Sequence, residues 1–156
     1  MADFKTIGWH RYKASWVINS QLIIMIIIVC TVAACERNTH LKITSDNPPG
    51  FVMSGSGKLA RIRVRGPKVR EALGEDKYIV WEIKSQKGYD GEFVEELGPV
   101  TYGQVPPGYV QIYPEQGEAP PLVEGERYNI RVATNNANGA DKFFTLHNGK
   151  VTEESK

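Results

Sequence analysis

The segment YIVWEIK, residues 78–84, determines the fold that we expect from this sequence. Its large apolar residues Ile79, Trp81 and Ile83 occupy every second position. Successive side chains of a β-strand point to opposite faces of the sheet, so this spacing is typical of a strand with one buried face. We therefore predict a strand here, with Ile79, Trp81 and Ile83 pointing into a core.

The same alternation recurs in other short segments along the chain. Residues 59–65 place Ala60, Ile62 and Val64 on one face, and residues 127–134 repeat the pattern. Clusters of Gly, Pro, Asn and Asp separate these segments, and sustained helical periodicity is lacking. About seven short strands without long intervening helices predict an all-β fold, a single sandwich over residues 41–156.

The segment LVEGERY, residues 122–128, resembles the L-x-x-G-x-x-Y motif that opens strand F of fibronectin type III domains. The resemblance implies an immunoglobulin- or fibronectin-like sandwich, in which Tyr128 donates its hydroxyl to upstream backbone and Gly125 permits a sharp turn. It also implies that Trp81 occupies the core position of strand C. On this basis Trp81, Leu122, Gly125 and Tyr128 determine the fold. A long proline-rich insert departs from the family and resembles stretches of uncharacterised bacterial lipoproteins, which implies no activity.

An uncharged apolar segment, residues 22–34, follows a polar N-terminal segment with an excess of positive charge. As a helix it would be roughly 20 Å long, shorter than the ~30 Å hydrocarbon core of a bilayer. This length favours a signal peptide, residues 1–34, over a membrane span. The alternative is an uncleaved signal anchor that Trp16, Val17 and Ile18 lengthen.

The residues Val32, Ala33, Ala34 and Cys35 resemble the lipobox of bacterial lipoproteins. The resemblance implies that the leader is removed before Cys35, that this cysteine carries diacylglycerol and an acyl chain such as palmitate, and that residues 35–40 form a lipidated tether. Two or three acyl chains are a lasting anchor, so we expect a protein of the bacterial cell envelope. We favour the outer membrane because Glu36 is not the aspartate of the inner-membrane retention signal; the outer leaflet of the cytoplasmic membrane is the alternative.

Composition argues against a nucleic-acid binder and against a domain held together by disulfides. The mature chain would keep 16 of the 19 Lys and Arg and 17 of the 18 Asp and Glu, a net charge of −1, which argues against a general nucleic-acid binder. The chain has two cysteines, Cys30 in the leader and Cys35 under the lipid, so the mature domain has no disulfide and must be held together by its own core.

Two surfaces are candidates for binding. The insert, residues 99–121, holds six of the nine prolines, and exposed tyrosines in a stiff segment lose little entropy on binding a protein or glycan. We nevertheless favour a structural role for the insert, since proline protects edge strands and tyrosine fills sandwich rims. The candidate residues of this surface are Tyr102, Gln104, Tyr109, Gln111 and Tyr113.

The second candidate surface is the polar face of residues 59–65, which presents Arg61, Arg63 and Arg65 and is extended by Lys68 and Arg70. It is either a solvated strand exterior or a surface for anionic lipid headgroups or an acidic partner.

No motif of catalysis or metal binding is complete. A small envelope hydrolase would need several acidic residues and a histidine to converge, but their spacing does not predict this; these residues are Asp90, Glu92, Glu95, Asp141 and His147. We therefore predict no enzyme, no metal and no cofactor. The predicted function is a non-catalytic interaction or structural module, held to the membrane through Cys35, with an envelope protein or glycan as partner. A carbohydrate-binding module using Tyr102, Tyr109 and Tyr113, and a small hydrolase, are the alternatives.

Overall fold

The structure, a computed structural model, describes residues 36–67 and 77–154. The predicted signal helix and lipobox, with Cys35, lie outside the described residues, as do Lys68 and Arg70. Among the residues described, no helix is long and apolar enough to cross a membrane.

The described chain folds into two antiparallel sheets. The strands are β1 (Thr39–Ile43), β2 (Gly50–Gly55), β3 (Lys58–Arg65), β4 (Ile79–Ser85), β5 (Val100–Thr101), β6 (Tyr109–Tyr113), β7 (Arg127–Asn135), β8 (Ala140–His147) and β9 (Lys150–Glu154). One sheet has the order β1-β2-β5 and the other the order β6-β4-β3-β7-β8-β9. The predicted all-β sandwich is confirmed, but this part of the chain has nine strands rather than about seven, because β5 and β6 are separate and β9 is added after β8.

An aromatic cluster joins the two sheets. The ring of Phe51, from β2, lies 6.4 Å from Trp81 on β4 and 6.3 Å from Phe144 on β8, measured between centroids. Trp81, Phe51 and Phe144 are fully buried. Burial of each such side chain stabilises the fold by about 1.5–3 kcal/mol, so this cluster helps to hold the two sheets together.

Two β-bulges change the predicted alternation. Against β7, the register of β3 skips Ala60, since Leu59 pairs with Thr134 and Arg61 with Ala133. Leu59 therefore joins the core, whereas Ala60 lies on the outer face beside Arg61. Ala60 is buried, at 7% exposure, but it lines the outer face instead of joining the core cluster with Ile62 and Val64, because a bulge places two consecutive residues opposite one.

The second bulge lies in β4, where Trp81 pairs with Val64 and Ile79 with Arg65. Val80 is the extra residue and packs in the core with Trp81 and Ile83, while Ile79 is buried outside that cluster. The predicted inward positions of Trp81 and Ile83 are confirmed, and that of Ile79 is taken by Val80.

The turn before β7 has the predicted tyrosine contact with its direction reversed. The backbone N–H of Val123 donates to the hydroxyl oxygen of Tyr128 at 2.8 Å, so the hydroxyl is an acceptor here. Gly125 has a φ of 79°, a conformation that favours glycine, and its N–H donates to the carbonyl of Leu146 at 2.8 Å. Leu122 packs partly buried against the core.

Trp81 is fully buried but lies one strand away from its predicted place. Strand C of an immunoglobulin-like sheet lies beside strand F. The neighbours of β7 are β3 and β8. Trp81 lies on β4, on the far side of β3. The tryptophan therefore fills the core from the neighbouring strand, which the resemblance alone did not imply.

Candidate functional site

A basic groove lies on the outer face of the six-stranded sheet and has a volume of about 480 Å³. We call it the outer-face groove. Its lining consists of Ala60, Arg61, Arg63, Lys84, Gly88, Tyr89, Arg131 and Ala133. Four of these side chains are cationic, and none is acidic.

Strand register explains how these residues meet. Arg61 on β3 pairs with Lys84 on β4 and with Ala133 on β7, and Arg63 pairs with Arg131 on β7. Directly opposed residues have Cβ atoms about 4.5–5.5 Å apart, so three strands bring together cations that are distant in sequence. The small side chains of Ala60 and Ala133 leave the space between them open.

A buried carboxylate organises two of the arginines. Glu82 on β4 is only 4% exposed. The Nε of Arg63 donates to its Oε2 at 2.7 Å, and the Nη1 of Arg61 lies 3.2 Å from its Oε1. Burial of a carboxylate is costly unless it is paired and hydrogen-bonded, and here two guanidinium groups satisfy it. Glu82 thus restricts both arginines and offsets part of their charge.

The predicted arginine face is therefore not continuous. Arg61 and Arg63 both pair with the carboxylate of Glu82 and line the groove. Arg65 lines a separate cavity that also includes Tyr78 and Arg127. A β-bulge next to Arg65 shifts the register at that point. The face predicted from three alternating arginines is in fact two sites.

Lys84 and Arg131 supply the less compensated charge of the groove. Within residues 36–67 and 77–154, neither makes an ion pair, although Asp141 on β8 pairs with Arg131 in register. Tyr89, in the loop after β4, is 78% exposed beside them. Sequence reasoning missed Lys84, Tyr89 and Arg131 because only the pairing of β3 with β4 and β7 places them beside Arg61; the lysine at the end of YIVWEIK was the available signal.

Two tyrosines of the insert are buried rather than exposed. Tyr102 is 5% exposed, its ring meets the ring of Trp81 edge-on at 5.5 Å, and its hydroxyl donates to the carbonyl of Pro120 at 2.8 Å. Tyr109 is 4% exposed and donates to the carbonyl of Leu59 at 3.1 Å. Burial raises the pKa of both hydroxyls. Two of the three predicted binding tyrosines are therefore core residues.

The remaining residues of that candidate surface do not replace them. The amide of Gln111 accepts from the indole N–H of Trp81 at 3.2 Å and donates to the carbonyls of Pro114 and Gly117. Tyr113 is partly buried opposite Glu82, and Gln104 is exposed. Because β6 pairs with β4 and the following loop is bonded to Gln111, this segment closes the sandwich edge rather than presenting a row of rings.

The acidic residues and histidine of the hydrolase alternative each have a different environment. Asp90 bonds Lys58 at 2.7 Å, and this hydrogen bond holds the pKa of the Asp90 carboxyl below its usual range. Glu92 pairs with Lys87 at 3.1 Å, Glu95 lines a cavity with Lys58, and His147 lies 3.7 Å from Glu124. Asp141 lies on β8. In the part of the chain that the structure describes, no three His, Cys, Asp or Glu side chains are grouped to hold a metal ion.

The chain matches no protein-family model, no curated protein and no solved structure. The chemistry of the outer-face groove must therefore be derived from its own residues. Guanidinium groups bind phosphate and carboxylate through paired N–H donors, and lysine adds a mobile point charge. The groove can bind an anionic group, and the exposed ring of Tyr89 can contact the molecule to which that group belongs.

Proposed function

We propose that this chain is the precursor of a bacterial envelope lipoprotein whose mature domain is a non-catalytic module that binds an anionic partner. Residues 1–34 are the signal peptide, and acyl chains on Cys35 hold the domain to the membrane. The lipobox-like sequence at residues 32–35 supports the anchor. The outer membrane is the favoured location.

The observation that carries the binding function is the outer-face groove. Four cations from three strands line one cavity, and two of them, Lys84 and Arg131, have no ion pair within the described part of the chain. A solvated strand exterior does not require cations to be gathered around a cavity, so we favour a binding surface over a merely solvated one. The fibronectin-like character remains part of the proposal, supported by Tyr128 and Gly125.

The other two functions have less support. A carbohydrate-binding module built on the insert would need exposed rings, and Tyr102 and Tyr109 are in the core. A hydrolase would need converging acids, and Asp90 and Glu92 are paired with different lysines.

Expression of the full chain in a bacterium tests the anchor. We expect an alkyne-tagged fatty acid to label the protein, and the mature mass to begin at a lipidated Cys35. A Cys35→Ser variant should lose the label and keep its leader. A labelled serine variant, or a bare Cys35 with the leader still attached, would contradict the proposal.

Binding of a soluble polyanion to the purified, detergent-solubilised lipoprotein tests the groove. Exposed charges contribute on the order of 0.5–1 kcal/mol each, so Lys84→Gln with Arg131→Gln should weaken dextran sulfate binding about tenfold. The matched control replaces Lys42 and Lys150, two exposed lysines outside the groove. Equal losses in the two double variants would remove the groove as the binding site.

A further inference from the structure

We infer that the anionic partner of the outer-face groove is the phosphate headgroup layer of the membrane that holds the anchor, so that the domain lies with this sheet face on the bilayer. The inference rests on the proposed function, because it takes Cys35 as the lipidated residue. It adds the identity of the partner and the orientation of the domain.

The short distance between the anchor and the folded domain is the first argument. The N–H of Asn138 donates to the carbonyl of Arg37 at 2.8 Å, and the N–H of Ser56 donates to the carbonyl of Asn38 at 3.0 Å. Cys35 is two residues before Arg37, and two residues span at most about 7 Å. Chain that short keeps this end of the sandwich at the membrane surface.

The groove lies in the half of the sheet nearest that end. β3 begins at Lys58, two residues after Ser56, and Arg61 is the fourth residue of this strand. At about 3.3 Å per residue, Arg61 is no more than roughly 17 Å along the chain from Ser56. Lys84 and Ala133, the partners of Arg61, are near the ends of β4 and β7 at the same end of the sheet. The bilayer that holds the anchor is therefore within reach of these cations.

Charge decides between an end-on and a face-on orientation. The cavity at the anchored end is lined by Glu95 and Glu96 as well as Arg37 and Lys58, and Lys58 is already paired with Asp90. An anionic surface repels these carboxylates. The lining of the groove has four cations and no acid, and each basic residue near an anionic leaflet contributes about 1 kcal/mol of attraction. The face-on orientation is favoured because it brings the cations of the groove to the surface, whereas an end-on orientation would bring Glu95 and Glu96 there.

Tyr89 fits the same orientation. Its ring is 78% exposed, next to Gly88 on the rim of the groove. Tyrosine side chains are enriched at the membrane–water interface, where the ring meets apolar chains and the hydroxyl remains hydrated. Contact with the bilayer gives this ring an environment that the folded domain does not provide.

Chemical footprinting of the full lipoprotein in vesicles tests the inference. The lipidated protein is reconstituted into vesicles of phosphatidylcholine, with or without about a third of phosphatidylglycerol, and lysines are acetylated under pseudo-first-order conditions. We expect Lys84 to react about fivefold more slowly on the anionic vesicles. Lys42, exposed on β1 in the other sheet, is the internal control and should react at the same rate on both.

A variant and a soluble competitor separate the outcomes. Arg61→Gln with Arg131→Gln should abolish most of the Lys84 protection, whereas Lys42→Gln should keep it. Equal protection of Lys84 and Lys42 overturns the inference. If dextran sulfate protects Lys84 on neutral vesicles but anionic lipid does not, the membrane inference fails and the proposed anion-binding function stands. If neither protects Lys84, both fail.

Discussion

The insert, residues 99–121, and the outer-face groove have opposite relations between composition and position. The insert has tyrosines and prolines typical of a binding surface, yet Tyr102 and Tyr109 are buried and bonded to backbone carbonyls. The groove comes from strands that resemble ordinary solvated exteriors, yet it gathers four cations around one cavity. Residue type indicated binding in the first region, and strand pairing created a candidate site in the second.

The difference teaches that the neighbours of a strand decide the role of its side chains. β6 pairs with β4, so Tyr109 extends under the sheet to Leu59. β3 has a partner on both sides, so its outward arginines meet Lys84 and Arg131. The insert should therefore contribute stability and the groove should contribute binding, and mutations can separate the two.

The largest expected effect is that of Tyr102→Ala. The side chain fills the space between Trp81 and Pro120, and truncation of a buried aromatic residue costs about 3–5 kcal/mol. Urea denaturation of the lipoprotein in detergent should show this loss in the free energy of unfolding. Tyr89→Ala, the matched exposed tyrosine, should change stability by less than about 0.5 kcal/mol. Similar values for the two variants would show that the insert is not part of the core.

The next effect is that of Tyr128→Phe. Removal of the hydroxyl takes away the acceptor of the Val123 N–H, and a partly buried hydrogen bond of this kind contributes about 0.5–1.5 kcal/mol. The same urea transition measures it, with Tyr89→Phe, at an exposed tyrosine, as the control. A neutral Tyr128→Phe would mean that water replaces the contact and that the tyrosine corner does not stabilise this fold.

Glu82→Gln links the two regions, since Glu82 lies under the groove and opposite Tyr113. Loss of two charge-assisted contacts, one of them to a well-exposed arginine, should lower stability by about 1–2 kcal/mol. The same change removes the carboxylate that offsets Arg61 and Arg63, so binding to anionic vesicles should become tighter. Vesicle cosedimentation measures the second effect. Weaker binding would show that Glu82 is needed to position the arginines rather than to moderate their charge.

Part of the fold follows from local sequence. Alternation predicted the strand with Trp81, and the resemblance of residues 122–128 implied the turn at Gly125 and the contact of Tyr128 with upstream backbone, each of which depends on residues close together in sequence. The inward place of Val80 and the outward place of Ala60 were not predicted, since a bulge forms only when a particular partner strand sets the register. Whether the Tyr128 hydroxyl donates or accepts depends on which backbone group of the turn faces it, and here that group is the N–H of Val123.

The candidate site was predicted less well than the fold. Arg61 and Arg63 were identified because they are close in sequence, but Lys84 follows Arg63 by 21 residues and Arg131 follows it by 68. No composition rule says which strands will be neighbours in a sheet. The burial of Tyr102 was missed for the same reason, since Trp81 comes from a distant strand.

The last prediction compares Arg131→Gln with Arg127→Gln. It has the smallest expected effect on stability and gives the most direct test of where the anion binds. Both arginines are on β7 and, four residues apart, on the same face. Arg127 pairs with Glu154 at 2.8 Å and stacks 4.0 Å above the ring of Phe143, so its loss should cost about 0.5–1 kcal/mol of stability without affecting binding. Arg131 lines the groove, so its loss should leave stability within about 0.5 kcal/mol and weaken vesicle binding severalfold, with a smaller dependence on salt. Because charge, residue type and strand are the same, a reversed result would place the anion site at the far end of β7 and not in the groove.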